Sequence, residues 1–156
     1  MRRQDREVTD AAQIREIIDR CSCMRLAFCD GAEPYIVPLS FGYTVGEDGY
    51  TFYFHSAPEG RKVTLLKSAP QVGFEMDCGY ELHPGSTGCT CSAAFESIIG
   101  VGDAAILTDE TEKKLALEAI LRRTTGRDGW EFQPELLEQV LVFRVKARQL
   151  SCKRHL

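Results

Sequence analysis

Three β-type runs separated only by tight turns, in residues 24–55, constrain this fold more than any other feature of the sequence. The first run covers residues 24–28 and is followed by Asp30-Gly31, a dipeptide typical of hairpin turns. The second covers residues 34–43, and the third, residues 50–55, follows a Gly-rich turn at 46–49. Because the connections are so short, the three runs are predicted to form a meander of antiparallel strands.

The remaining runs extend this sheet and add helices. Further strands are predicted at 71–76, 95–107 and 139–146, which brings the total to six. Helices are predicted at 10–20, where Asp10 can act as the N-cap, and at 60–67 and 109–123. A doubly wound parallel sheet needs regular strand–helix alternation, which is absent. The predicted fold is therefore mainly β with flanking helices: an antiparallel six-stranded barrel that closes on itself.

Three segments carry less regular predictions. Pro38 interrupts the second run and lacks an N–H, so this strand is expected at an edge or a bulge. Residues 77–92, rich in Gly, Cys and Pro, are expected to form a loop or a poorly ordered arm. Residues 153–155 are expected to be a solvated tail, and residues 130 and 132 to cap the barrel end or to cover a neighbouring subunit's site.

Length and charge narrow the functional classes. A chain of 156 residues is expected to form one domain, residues 1–156. Its net charge of −4 argues against nucleic-acid binding, and no apolar run is long enough for a membrane span. Its seven cysteines follow no apolar signal segment, so they are interpreted as reduced thiols in a cytoplasmic protein.

The most informative stretch, residues 55–62, joins a strand to the start of a helix. The first N–H groups of a helix lack backbone partners and favour an anion, and Arg61 and Lys62 add two cations at that end. Two cations there oppose the helix dipole unless an anion neutralises them. Ser56 adds a hydroxyl, and His55 lies where the strand ends. The alternative is an exposed turn with solvated charges; neither a P-loop nor a Rossmann glycine pattern is present.

Taken together, these segments resemble the pyridoxamine 5'-phosphate oxidase-related, FMN-binding split barrels, and most of all their 5-nitroimidazole resistance (Nim) branch. The matching pieces are Met1-Arg2-Arg3-Gln4-Asp5-Arg6-Glu7, Pro34-Tyr35-Ile36-Val37-Pro38-Leu39-Ser40-Phe41-Gly42-Tyr43, Tyr53-Phe54-His55-Ser56-Ala57, Gly60-Arg61-Lys62, Ser97-Ile98-Ile99-Gly100-Val101-Gly102 and Glu112-Lys113-Lys114-Leu115-Ala116-Leu117. Their order and spacing cover nearly the whole chain.

The resemblance implies a homodimer with two FMN sites at the subunit interface. In such a dimer, Arg61 and Lys62 hold the FMN phosphate with help from Ser56. The other implied contacts are the backbone at Val37, Pro38 and Leu39, which faces the isoalloxazine edge, the adjoining Ser40, and His55, which matches a family histidine near the flavin. His55 is thus the candidate catalytic residue; its alternative is a structural role at a strand end.

Two positions depart from the family pattern. Ser40 stands where the family commonly has Asn, and Phe95 where Tyr is usual, which removes a hydroxyl from the wall formed by the partner subunit. Residues 77–92, which can shape the substrate side in such proteins, match only loosely.

Three functional hypotheses follow. The first is an FMN-dependent reductase of small electron-poor molecules such as nitroaromatics, with NAD(P)H as a transient donor. The second is a non-catalytic flavin-binding or sensing module. The third is a thiolate metal site at Cys89 and Cys91 with His83 nearby, although C-x-C is a weaker zinc signal than longer spacings. Cys21 is expected to pack as a small apolar side chain.

Overall fold

The computed structural model describes residues 3–156. This part of the chain contains eight strands and four α-helices, joined by loops and two short 3-10 helices. The strands are β1 (Glu7–Val8), β2 (Met24–Asp30), β3 (Glu33–Leu39), β4 (Gly42–Gly46), β5 (Gly49–Ser56), β6 (Gln71–His83), β7 (Ser92–Leu107) and β8 (Leu141–His155). The helices are α1 (Ala11–Arg20), α2 (Arg61–Ser68), α3 (Glu110–Thr125) and α4 (Pro134–Glu138). The N-terminal sequence motif begins with Met1 and Arg2, which lie outside the described residues.

The strands form one sheet whose two ends come together. The order is β3-β2-β6-β7-β8-β5-β4, with β1 beside β8, and every pair is antiparallel. β3 and β4 lie at opposite ends of this order, yet only Ser40 and Phe41 separate them in the chain. The sheet must therefore curl until its ends are neighbours, and no strand pairing closes the gap between them in residues 3–156. The predicted antiparallel split barrel with flanking helices is confirmed, but the sheet does not close on itself as the sequence predicted.

The predicted count of six strands and the predicted meander are wrong. The run at 34–43 is two strands, because Leu39 pairs with Met24 on β2 whereas Gly42 pairs with Tyr53 on β5. The two-residue strand β1 is the other addition. A continuous β-type run does not indicate the residue at which the chain leaves one partner strand for another. The prediction that the Pro38 strand lies at an edge is confirmed, since β3 ends the sheet order.

Two segments without a predicted element belong to the sheet. β6 and β7 continue past the barrel as a two-stranded arm in which His83 pairs with Ser92. Residues 81–92 are exposed throughout, so neither face of this arm needs the apolar alternation that marks a buried strand. The expected C-terminal tail is the end of β8, where His155 pairs with Phe95. It is not solvated, because Lys153, Arg154 and His155 are all partly buried.

Alternating side chains of the strands fill the barrel. Phe28, Phe52 and Phe54 are almost fully buried, and the Phe52 and Phe74 ring centroids lie 5.3 Å apart. α1 covers one end of this core with Ile17 and Ile18, and its start is fixed as predicted, with the Gln13 amide donating to the Asp10 carboxylate. No helix in residues 3–156 combines the length and apolar character needed to cross a bilayer.

α3 packs so closely on β4 that only glycine fits at the contact. A Cβ added to Gly42 would lie 2.4 Å from both the carbonyl carbon of Ala119 and the amide nitrogen of Ile120. Gly42→Ala is expected to destabilise the protein by roughly 1–3 kcal/mol, because the backbone of α3 must move. Gly46→Ala is the matched control: it lies in the same strand with open space around its Cβ position, and we expect a change within about 0.5 kcal/mol. Equal unfolding free energies for the two variants in urea titrations would contradict the close approach.

Candidate functional site

The corner between β5 and α2 leaves the first turn of α2 without a side-chain cap. Gly60 is the N-cap, with φ 122°, a conformation that favours glycine, and no side chain accepts a hydrogen bond from the first amides. The amides of Val63 and Thr64 donate to the Gly60 carbonyl. The positive end of the α2 dipole therefore faces open space, as an anion site requires.

Arg61 is already engaged by neighbouring residues. Its Nε and Nη2 lie 2.7 and 2.6 Å from the same oxygen, Oδ2 of Asp30, and its guanidinium lies 4.5 Å from the centroid of the Tyr35 ring. Asp30 ends β2 and Tyr35 lies in β3. Arg61 thus ties the start of α2 to the β2–β3 hairpin, and Asp30 balances much of its charge.

Lys62, the next residue, has no such partner. It is partly buried, and none of the hydrogen bonds or ion pairs within residues 3–156 involves its ammonium group. Burial lowers the pKa of Lys62, with no opposite charge to offset it. An anion would therefore stabilise Lys62 more than Arg61. The sequence alone does not show this difference between the two neighbouring cations.

β3 offers an unpaired backbone edge beside this corner. In residues 3–156 it pairs with β2 alone. Val37 and Leu39 point their side chains toward the core, whereas Pro38 and Ser40 are exposed. Because an edge strand has one row of free N–H and C=O groups, β3 can hydrogen-bond a planar polar ligand along that row.

His55 and Ser56 lie on opposite faces of β5. Ser56 follows Phe52 and Phe54 on the inner face, and its hydroxyl donates to the Ala57 carbonyl at 2.8 Å. His55 is exposed on the outer face, where it lines a cavity with side chains of α3 and of residues 131–140. The structure therefore brings Ser56, Arg61 and Lys62 to one corner with β3 nearby, and it directs His55 to a different surface.

A buried carboxylate outside this corner, Glu96, is not among the candidate residues predicted from the sequence. Glu96 of β7 is 3% exposed and forms ion pairs with Arg20 of α1 and Arg154 of β8, while Cys78 Sγ lies 3.8 Å from its Oε2. Burial by itself raises the pKa of Glu96, but hydrogen bonds from Arg154 and Arg20 outweigh it, so its pKa is lowered. Its position in the strand indicates this burial. Glu96 lies two residues from Ala94 and two from Ile98, so it shares their face of β7, and both of them are buried.

The cysteines separate into buried and exposed groups. Cys21 is fully buried, which confirms its role as a small apolar side chain, and burial raises the pKa of its thiol. Cys89 and Cys91 are exposed at the tip of the β6–β7 arm, where Gly85 N donates to Cys91 Sγ at 3.4 Å. Within the described part of the chain, no three His, Cys, Asp or Glu side chains converge as ligands for a metal ion.

Comparisons with known proteins agree with this architecture. The sequence profile described as pyridoxamine 5'-phosphate oxidase matches residues 10–154. A comparison with curated protein sequences gives no match. Among solved structures, a candidate 5-nitroimidazole antibiotic resistance protein from Bacteroides thetaiotaomicron is 30% identical, with a TM-score of 0.81 over 95% of this chain and 86% of that chain.

Two more distant structures share the fold. The flavocytochrome Anf3 from Azotobacter vinelandii is 18% identical, with a TM-score of 0.80 over 100% of this chain and 72% of that chain. The FAD and heme binding protein from Mycobacterium smegmatis is 15% identical, with a TM-score of 0.80 over 96% and 73%. The profile match and the Bacteroides structure together show that this chain belongs to the pyridoxamine 5'-phosphate oxidase-related family of split barrels, in its 5-nitroimidazole resistance-like branch.

Proposed function

We propose that this chain binds FMN, with the phosphate at the start of α2. The observation that carries the proposal is Lys62: a partly buried cation without a counter-charge, beside the uncapped N-terminus of a helix. An ammonium group in such surroundings is stabilised by a dianion, and helix amides supply further donors. Arg61 stands at the same corner, and the Ser56 hydroxyl would join the donor set by rotating away from the Ala57 carbonyl. The residues present therefore fit a phosphate monoester.

The flavin ring is proposed to lie against the free edge of β3. Its polar ring atoms need backbone partners in one plane, and the strand at Val37, Pro38 and Leu39 carries carbonyl acceptors at all three residues and N–H donors at Val37 and Leu39 only. Ser40, in the link to β4, adds an exposed hydroxyl at the end of this row. Tyr35 connects the two ends of the site, since it lies in β3 and also contacts Arg61.

The proposed activity is that of a flavin-dependent reductase of small electron-poor molecules such as nitroaromatics, with NAD(P)H as the transient donor. Bound FMN supplies reversible transfer of hydride or single electrons, and the chain's residues bind and orient it. Lys62 and Arg61 anchor the phosphate, and β3 fixes the plane of the ring. The similarity to a protein described in terms of nitroimidazole resistance supports this substrate class.

Anaerobic mixing of the FMN-loaded protein with NADH or NADPH tests the activity. The flavin absorbance is expected to bleach and then to return when a nitroaromatic acceptor is added. FMN that binds but does not bleach with either donor would instead support the alternative, a non-catalytic flavin-binding module.

The proposed assembly is a homodimer with the flavin at its interface, and the outer face of the sheet supports it. The cross-strand row Ile36, Ala27, Gly73 and Val101 is apolar. Ile99 lies on the same face of β7 in the next row, opposite Glu75 and its ion-pair partner Arg25. Ile36 and Ile99 are 59% and 53% exposed. Small residues between large ones make this face flat, and an exposed apolar patch of this kind marks an interaction site.

Ile99→Arg is expected to convert the dimer to a monomer, because a guanidinium in place of an apolar side chain would have to give up its hydration at the interface. Sedimentation velocity checks the mass. Leu115→Arg is the matched control, since Leu115 is equally exposed but lies on α3, away from this face. A monomeric wild-type protein would contradict the proposed assembly, and so would an Ile99→Arg variant that stays dimeric.

A further inference from the structure

A cavity of about 370 Å³ lies on the outer face of β5, between α3 and the segment that leads through α4. Its walls are mainly apolar, and the side chains that matter here are His55, Leu117, Leu121, Phe132, Gln133 and Leu136. This volume is at the small end of the range for ligand sites, which suits a single-ring compound.

Residues 127–133, which lead to α4 beside the cavity, are held in position although they have no regular structure. The Glu118 carboxylate of α3 accepts hydrogen bonds from the amides of Gly129 and Trp130, at 2.6 and 3.4 Å. Lys113 of the same helix donates to the Leu137 carbonyl at 2.6 Å. These contacts fix both sides of Phe132, so the cavity is preformed rather than created by a ligand.

The charges around the cavity exclude ionic ligands. No Lys or Arg lines it, so a carboxylate or phosphate would find no counter-charge, and Glu131 at its rim repels anions. A cation would lose hydration against seven apolar side chains, with only the exposed Glu131 as a carboxylate partner. His55 and Gln133 supply hydrogen-bonding groups to orient a polar atom.

We propose that this cavity binds a small, uncharged, ring-shaped molecule, oriented by hydrogen bonds to His55 and Gln133. This inference goes beyond the proposed function, and binding to this cavity does not require flavin. Glu118 is a positioning residue in this site, since it acts through the backbone that carries Phe132.

The test compares two probes of equal size, neutral 4-nitrobenzamide and anionic 4-nitrobenzoate, by calorimetric titration of FMN-free and FMN-loaded protein. Saturable binding of the amide is expected, with the benzoate at least about tenfold weaker because a carboxylate must be desolvated without a partner. Quenching of Trp130, the only tryptophan, gives a second readout next to the cavity.

Variants of residues around the cavity test whether the probes bind there. Leu136 is 59% exposed, so Leu136→Arg is expected to fold and to reverse the preference, binding the benzoate more tightly than the amide. Glu118→Ala is expected to weaken amide binding several-fold, whereas Glu112→Ala, an exposed glutamate on the same helix, leaves it unchanged.

Three results overturn the proposal: no saturable amide binding, equal affinity for the two probes, or a Leu136→Arg variant that changes the sedimentation mass without changing probe preference. The last would mean that a second copy of the chain covers the cavity. Failure of FMN binding together with the expected probe discrimination would overturn the proposed function and leave this inference standing.

Discussion

Replacing Lys62 with Met is expected to weaken FMN binding by about 10- to 100-fold, while the protein stays folded. The loss corresponds to one hydrogen bond between charged groups in a partly desolvated site, roughly 1.5–3 kcal/mol. Met keeps the apolar stem of lysine, so the packing at the start of α2 is retained. Titration of flavin-free protein with FMN, followed by quenching of flavin fluorescence, measures the change.

Arg61 provides the contrast. Because Asp30 already neutralises part of its charge and more than half of the side chain is accessible, Arg61→Met is expected to cost less affinity than Lys62→Met. Lys67→Met is the control at the other end of α2, where the helix dipole has the opposite sign, and we expect no change in FMN affinity. If Lys62→Met binds FMN as tightly as the wild type, the phosphate lies elsewhere.

Glu96→Ala is expected to have the largest effect on stability, a loss of about 3 kcal/mol, since removing one member of a buried ion pair leaves its partners uncompensated. Arg20 and Arg154 lose their common acceptor, and α1 loses its ion pair with β7. For a chain of this length the melting temperature should fall by roughly 6–12 °C. Glu112→Ala, an exposed carboxylate 3.4 Å from Arg144, should change stability by less than about 1 kcal/mol.

The same residue predicts how stability depends on pH. The pKa of Glu96 is lowered in the folded protein, so its contribution is fully present above its ordinary value of 4.5 and is lost as pH falls through the lower, folded value. Wild-type protein should therefore lose stability more steeply than Glu96→Gln below pH 4.5. Parallel stability curves for the two proteins in acid would contradict the lowered pKa.

Local chemistry made several elements predictable. Asp10 and Asp109 cap α1 and α3 because a short acidic side chain before an apolar periodic run satisfies a free helix amide. The hairpin turns at Gly31 and Gly49 have positive φ, which glycine adopts freely. Pro38 indicated an edge strand through its missing N–H.

Features that depend on long-range pairing were not predictable in the same way. The switch at Ser40 and Phe41 leaves no mark in a continuous β-type run, although it brings the two ends of the sheet together. The different states of Arg61 and Lys62 depend on Asp30, which lies in another strand. Because successive residues of a strand point to opposite faces, the sequence does predict that His55 and Ser56 face different ways. The cavity beside His55 could not be predicted, since it also needs α3 and residues 131–140, which are distant in the chain.

The absorbance spectrum of the protein purified without added flavin shows directly whether the chain binds FMN. We expect a yellow protein with flavin bands between about 350 and 500 nm, and release of FMN, close to one per chain, on denaturation. A colourless protein whose melting temperature does not rise when FMN is added would contradict it.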